Sequence, residues 1–198
     1  MRIVELVIDE NDETSGIEAI SVVETPAIEE NFVALNKHEL QLKEVNKEKR
    51  ILMGAALIPD KSIYRRNDKG DEYYIYFSKE TVRKASELFF KRSNHKNATY
   101  EHKQPIEGMT IVESWIVENT KQDKSALYGL NLPVGTWAVS MKVDNDEIYE
   151  KAKKGEVKGF SIEGYFADKL DMSMQEAKRQ ETINKLKELL KTPTIENK

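Results

Sequence analysis

The sequence predicts an α+β fold, in which mostly antiparallel strands carry two helices and a helical tail is appended. Three observations predict it. Short runs rich in β-branched and aromatic residues recur along the chain, separated by turn residues. Before residue 168, two stretches place apolar residues at helical spacing behind a capping residue. A charged C-terminal stretch carries a narrow apolar stripe. The expected organisation is one domain over 1–168 and a helical or flexible tail over 169–198.

Taken in order, "RIVELVI" (2–8) sets Ile3, Leu6 and Ile8 among polar or small neighbours and reads as a strand. "DENDETSG" is a turn, and the β-branched "IEAISVV" (17–23) is a second strand, which Pro26 should end because proline lacks a ladder donor. "NKHELQLKEVNKEKR" (36–50) is too charged for a core and reads as a connector or exposed edge. "RILMGAALIPD" (50–60) is continuously apolar, as a buried strand would be. A turn at Asp68-Lys69-Gly70 leads to a strand at 73–77, a hairpin candidate with the strand upstream.

The clearest helix is "SKETVRKASELFFKR" (78–92), with Ser78 as cap and Val82, Ala85, Leu88 and Phe89 on one face. Two or three strands are expected in 100–120 and 126–143, rich in Val, Ile, Trp and Tyr. A short helix over 144–156 is capped by Asp144 or Asn145 and stopped by Gly155. "VKGFSIEGYFAD" (157–168) is the last strand of the domain. In the tail, Ile183, Leu186, Leu189 and Leu190 form a stripe too thin to support a lone helix, and a loose end follows Pro193.

Composition narrows the function. Of 198 residues, 39% are hydrophobic and 33% charged, so part of the chain is expected to be solvated tail. A net charge of −4 gives no general attraction for nucleic acid. The absence of cysteine removes disulfides, thiolate metal sites and cysteine nucleophiles, and it fits a reducing compartment. The N-terminus turns acidic within nine residues and lacks an apolar signal core, and no apolar run nears the roughly 20 residues of a bilayer span. The expectation is a soluble intracellular protein with no membrane partner.

Three histidines, His38, His95 and His102, limit the catalytic inventory. His95 and His102 lie seven apart with only Glu101 adjacent, so neither a metal nor another cofactor is expected. Phosphate-cradling glycine loops are absent. What remains is serine with histidine. In "KKGEVKGFSIEGYF", Ser161 sits on a strand between Gly159 and Gly164. It is either a small residue facing a crowded layer or a nucleophile whose flanking glycines free peptide N–H groups for an oxyanion. The pattern G-x-S-x-x-G differs from the G-x-S-x-G elbow, and no helix follows the serine. His102, in "ATYEHKQPIEG", is the best-placed base, although it could equally be a surface histidine beside Glu101. A serine needs such a base within hydrogen-bond reach.

Several stretches in order resemble the XkdF-like prohead maturation proteases of tailed bacteriophages, distant relatives of the herpesvirus assembly proteases. They are "GIEAISVVETPAIEENFVAL", "GAALIPDKSIYRR", "EYYIYFSKETV", "ATYEHKQPIEGMTIVESWIVE", "YGLNLPVGTWAVSMKV" and "GEVKGFSIEGYF", spanning 16–166. The resemblance implies a barrel-like, mostly antiparallel protease domain and a serine endopeptidase. Such an enzyme acts in the host cytoplasm, inside the assembling procapsid. Its substrates would be the scaffold protein, the major capsid protein and often itself. Separately, the apolar stripe of the tail is a candidate for docking on scaffold helices or for self-association, and the mild net charge points to no nucleic-acid partner.

The resemblance makes His102 and Ser161 the catalytic pair. In more distant phage proteases an acidic residue in a segment after the serine strand is the third member. The similar "EAISVVETPA" lies here at the N-terminus, which suggests a circular permutation and makes Glu18 a candidate. Anchoring on Pro26 instead puts Ala19 at that position, so Glu113 and Glu163 stay open as alternatives. Backbone N–H groups near Gly159 or Gly135 are the expected oxyanion donors. The alternative function is a catalytically inactive head or scaffold-associated structural protein of the same fold.

Overall fold

The computed structural model of the protein describes residues 2–24, 33–34, 49–67 and 69–191. His38, Pro26, most of the charged connector and the end after Pro193 lie outside them. In chain order the elements are β1 (Arg2–Val7), β2 (Gly16–Val23), β3 (Val33–Ala34), β4 (Ile51–Leu57), β5 (Ile63–Arg66), β6 (Glu72–Phe77) and α1 (Lys79–Lys91). They continue through β7 (Ala98–Tyr100), β8 (Gln104–Pro105), β9 (Met109–Ile116), α2 (Lys124–Leu127), β10 (Trp137–Val143) and α3 (Asp146–Lys153). The last are β11 (Gly159–Tyr165), β12 (Ala167–Asp168) and α4 (Lys169–Lys191).

The strands form three four-stranded sheets, ordered β12-β1-β6-β5, β3-β4-β10-β9 and β11-β2-β7-β8. The fold is therefore α+β, as expected. Pairing is antiparallel except between β1 and β6 and between β2 and β7. The barrel-like expectation needs correction, since no sheet closes among the described residues. Each sheet ends on one side in a strand of two residues, β12, β3 or β8, too short to carry a ladder round to a closing partner.

The apolar run at 51–57 is buried along nearly its whole length because β4 lies inside its sheet, between β3 and β10. It is not the hairpin partner of β6. That partner is the short β5, whose pairs run from Ile63–Ile75 to Arg66–Glu72.

The helices follow their caps. Ser78 accepts the Thr81 N–H, and Val82, Ala85 and Phe89 of α1 are buried. Phe89 meets Trp137 edge-on at 5.3 Å between centroids, an arrangement that suits the aromatic quadrupoles. For α3 the cap is Asn145, which accepts the Ile148 N–H at 3.1 Å. The four-residue α2, capped by Asp123, is too short to leave a periodic signal. The tail helix forms as α4 and is tethered at its base, where Lys169 Nζ lies 2.8 Å from Glu5 Oε2. Leu170, Met174 and Leu186 remain exposed along it. No described helix is long and apolar enough to cross a membrane.

Candidate active site

The site is built on the sheet β11-β2-β7-β8. Strand β11 pairs antiparallel with β2, placing Ser161 opposite Ser21 and Glu163 opposite Ala19. Strand β2 pairs in parallel with β7, placing Ser21 beside Thr99. Side chains alternate along a strand, so Ser161 and Glu163 share one face. The partners Ser21 and Thr99 bring further hydroxyls to them. Phe160, the residue before the serine, is fully buried in the core.

The ladder shifts register between Glu163 and Gly164. A side chain at 164 would be driven onto the carbonyl oxygen of Gly16, with its Cβ 2.8 Å from Ile17 Cα. Gly164 is thus required by the close approach of two backbones. It has no evident oxyanion role.

His102 rides on the turn between β7 and β8. Both Glu101 (φ 50°) and His102 (φ 55°) are left-handed, a conformation that costs a non-glycine residue energy and so needs fixing by its surroundings. Three backbone bonds fix it. The Glu101 N–H donates to Val22 O at 3.2 Å, the His102 N–H to Ser21 Oγ at 3.1 Å, and the Lys103 N–H to Tyr100 O at 3.1 Å. Ser21 is fully buried, and its hydroxyl donates in turn to Thr99 O at 3.4 Å.

The turn aims the imidazole at β11. His102 Nδ1 lies 3.1 Å from Glu163 Oε1, and Thr99 Oγ1 donates to the same oxygen. The His102 and Glu163 side chains are 44% and 30% exposed. With Nδ1–H donating to Glu163, the tautomer leaves the lone pair on Nε2, where a general base needs it. Among the described residues no hydrogen bond joins Ser161 to His102. The two are connected through Ser21, on the strand beside Ser161, and through Glu163, two residues along it. Ser161 is 9% exposed and lines a cleft of about 760 Å³.

Of the three candidate carboxylates, Glu163 alone contacts His102 among the described residues. Glu18 is exposed, and its backbone carbonyl accepts from Asn97 Nδ2. Glu113 is paired with Lys124, whose ammonium holds its carboxyl below the usual range. His95 stacks on Phe90 at 6.2 Å. The Gly135 N–H donates to Val117 O at 2.8 Å, so it does not serve as an oxyanion donor here. Ser21 and Thr99 escaped the sequence reading, since nothing local marks them. Among the described residues no group of three or more His, Asp or Glu is placed to hold a metal ion.

Residues 39–171 match the profile of the family described as "Putative phage serine protease XkdF". The chain belongs to this family. The matched span covers most of the chain and carries His102, Ser161, Glu163 and Thr99. Strands β1 and β2, with Ser21 and Glu18, precede the XkdF match. No curated protein and no solved structure matches the chain.

Proposed function

We propose that the protein is a serine endopeptidase that cleaves scaffold and capsid proteins, and its own chain, inside the assembling procapsid. The carrying observation is the contact between His102 and Glu163 on the strand of Ser161, in a chain of the XkdF family. Ser161 Oγ attacks the scissile carbonyl carbon while His102 Nε2 takes the hydroxyl proton. The C–N bond breaks as the imidazolium returns that proton to the leaving amine. Water, activated by the same imidazole, then hydrolyses the acyl-enzyme. Glu163 holds the ring and stabilises the imidazolium. Backbone N–H groups at the Gly159 end of β11 hold the oxyanion, each such donor typically lowering the barrier by about 3 kcal/mol.

The test is Ser161→Ala, co-expressed with the cognate scaffold and major capsid protein. Processing of both should stop, and continued cleavage would remove Ser161 as nucleophile. A second reading, an inactive structural protein of the procapsid, draws on the burial of Ser161 and its lack of a bond to His102. A serine-reactive phosphonate separates the two, since only the peptidase is labelled at Ser161.

A further inference from the structure

The cleft that Ser161 lines is bounded by two different surfaces. One wall is made by Ser161, Ile162, Gly164 and Tyr165 of β11, the outer strand of its sheet, while His102 and Glu163 do not line the cleft. The floor is one face of the sheet β1-β6-β5. The registers there stack residues in rows. Val4, Ile75 and Ile63 form an apolar row, and Arg2, Tyr73 and Arg65 form the next row towards the mouth. At about 760 Å³ the space falls within the range of ligand pockets. Four β11 residues beyond the serine, Ile162 to Tyr165, extend roughly 13 Å at strand rise, the length of a few extended residues.

The rim carries charge. Asp71, Glu72, Asp168 and Asp171 line it together with Arg2 and Arg65, so carboxylates exceed guanidinium groups. Arg2 is satisfied by Asp168, and Glu72 accepts from the Tyr64 hydroxyl. Asp71 accepts from Asn67, and Asp171 makes no ion pair among the described residues. Arg65 donates to Tyr64 O and forms no ion pair among the described residues, so beside it Asp71, Glu72 and Asp171 leave the net charge of the lining acidic.

We propose that this cleft is a peptide groove that leads to Ser161, and that it selects an extended segment carrying a large apolar side chain flanked by lysine or arginine. The segment lies along β11, where its backbone passes Ser161. Its apolar side chain enters the Val4–Ile75–Ile63 row, and its basic residue meets Asp71 and Asp171 at the rim. Outer strands present unpaired backbone groups to such a segment, and alternate side chains enter pockets. The inference rests on Ser161 as nucleophile, and its test separates the two claims.

The full-length protein is incubated with a proteome-derived peptide library, and cut sites are read by mass spectrometry. The expected profile has Leu, Ile, Met or Phe at one fixed position beside the cut and Lys or Arg enriched next to it. Asp171→Lys, a change on exposed helix surface, should lower that basic preference about five-fold, as expected for one solvent-exposed charge contact, and leave the apolar preference intact. Cutting without an apolar preference, or a basic preference that Asp171→Lys does not move, overturns the groove and leaves the peptidase standing. If nothing is cut, the peptidase fails and a binding arm decides the groove. The same library is passed over immobilised Ser161→Ala protein. Retention of apolar peptides with a basic flank, weakened by Asp171→Lys, supports the groove, and unselective retention overturns it.

Discussion

Glu163 shows what one residue contributes to this site. Its carboxylate takes the His102 Nδ1 contact at 3.1 Å and a second bond from Thr99, so it fixes the ring from a partly buried position. Glu163→Gln preserves size and removes the charge that favours the imidazolium. Cleavage of a peptide substrate should fall by about 10²-fold or more with the fold intact. An unchanged rate would reduce the contact to a surface hydrogen bond. Part of this was legible beforehand, because two residues at i and i+2 on a strand share a face and Glu163 follows Ser161 at that spacing. Ser21 was not legible. Its hydroxyl reaches the His102 turn only because β2 runs in parallel beside β7, and no local pattern at residue 21 encodes that pairing.

Among elements, β11 matters most, and its bend is set by Gly164. The chain there passes so close to Gly16 and Ile17 that a methyl group has no room. Gly164→Ala should destabilise the protein by about 2 kcal/mol or more, visible as a lower urea midpoint, because overpacking forces the two backbones apart. A midpoint within error of the parent would mean that the ladder yields at no cost. Helices α1 and α3 were readable because Ser78 and Asn145 cap them through side-chain bonds confined to one turn. The partner of β6 is not encoded locally, because strand pairing is a long-range choice. The long apolar β4 went to the middle of another sheet, and the half-polar "IYRR" of β5 took the hairpin.

At the scale of the molecule, α4 is held to the body by Lys169 and Glu5, and this tether responds to pH. The bond from the Lys169 ammonium keeps the Glu5 carboxyl below its ordinary value of 4.5. A depressed carboxyl contributes stability that is complete above the ordinary value and is lost as the pH falls through the folded one. Amide exchange across 169–175 should therefore quicken relative to the core on acidification from about pH 6 to about pH 3, and Glu5→Gln should show fast exchange already at pH 6. Exchange in the parent that tracks the core throughout would mean that this pair does not dock the helix. The sheets hold the larger lesson about legibility. Strand content and the α+β class were readable from alternation and turn residues. Whether the sheets would close depended on β3, β8 and β12, which at two residues each are too brief to leave a pattern.

Helix α4 begins at the rim of the Ser161 cleft, with Asp168 and Asp171 both on that rim, and continues to Lys191. At about 1.5 Å per residue its far end stands roughly 33 Å from its start. While the helix persists, a molecule cannot fold this end back into its own groove. On the proposed self-cleavage, trimming there requires a collision between two copies, so its rate should rise with the square of protein concentration, and a dilute sample should outlast a crowded one.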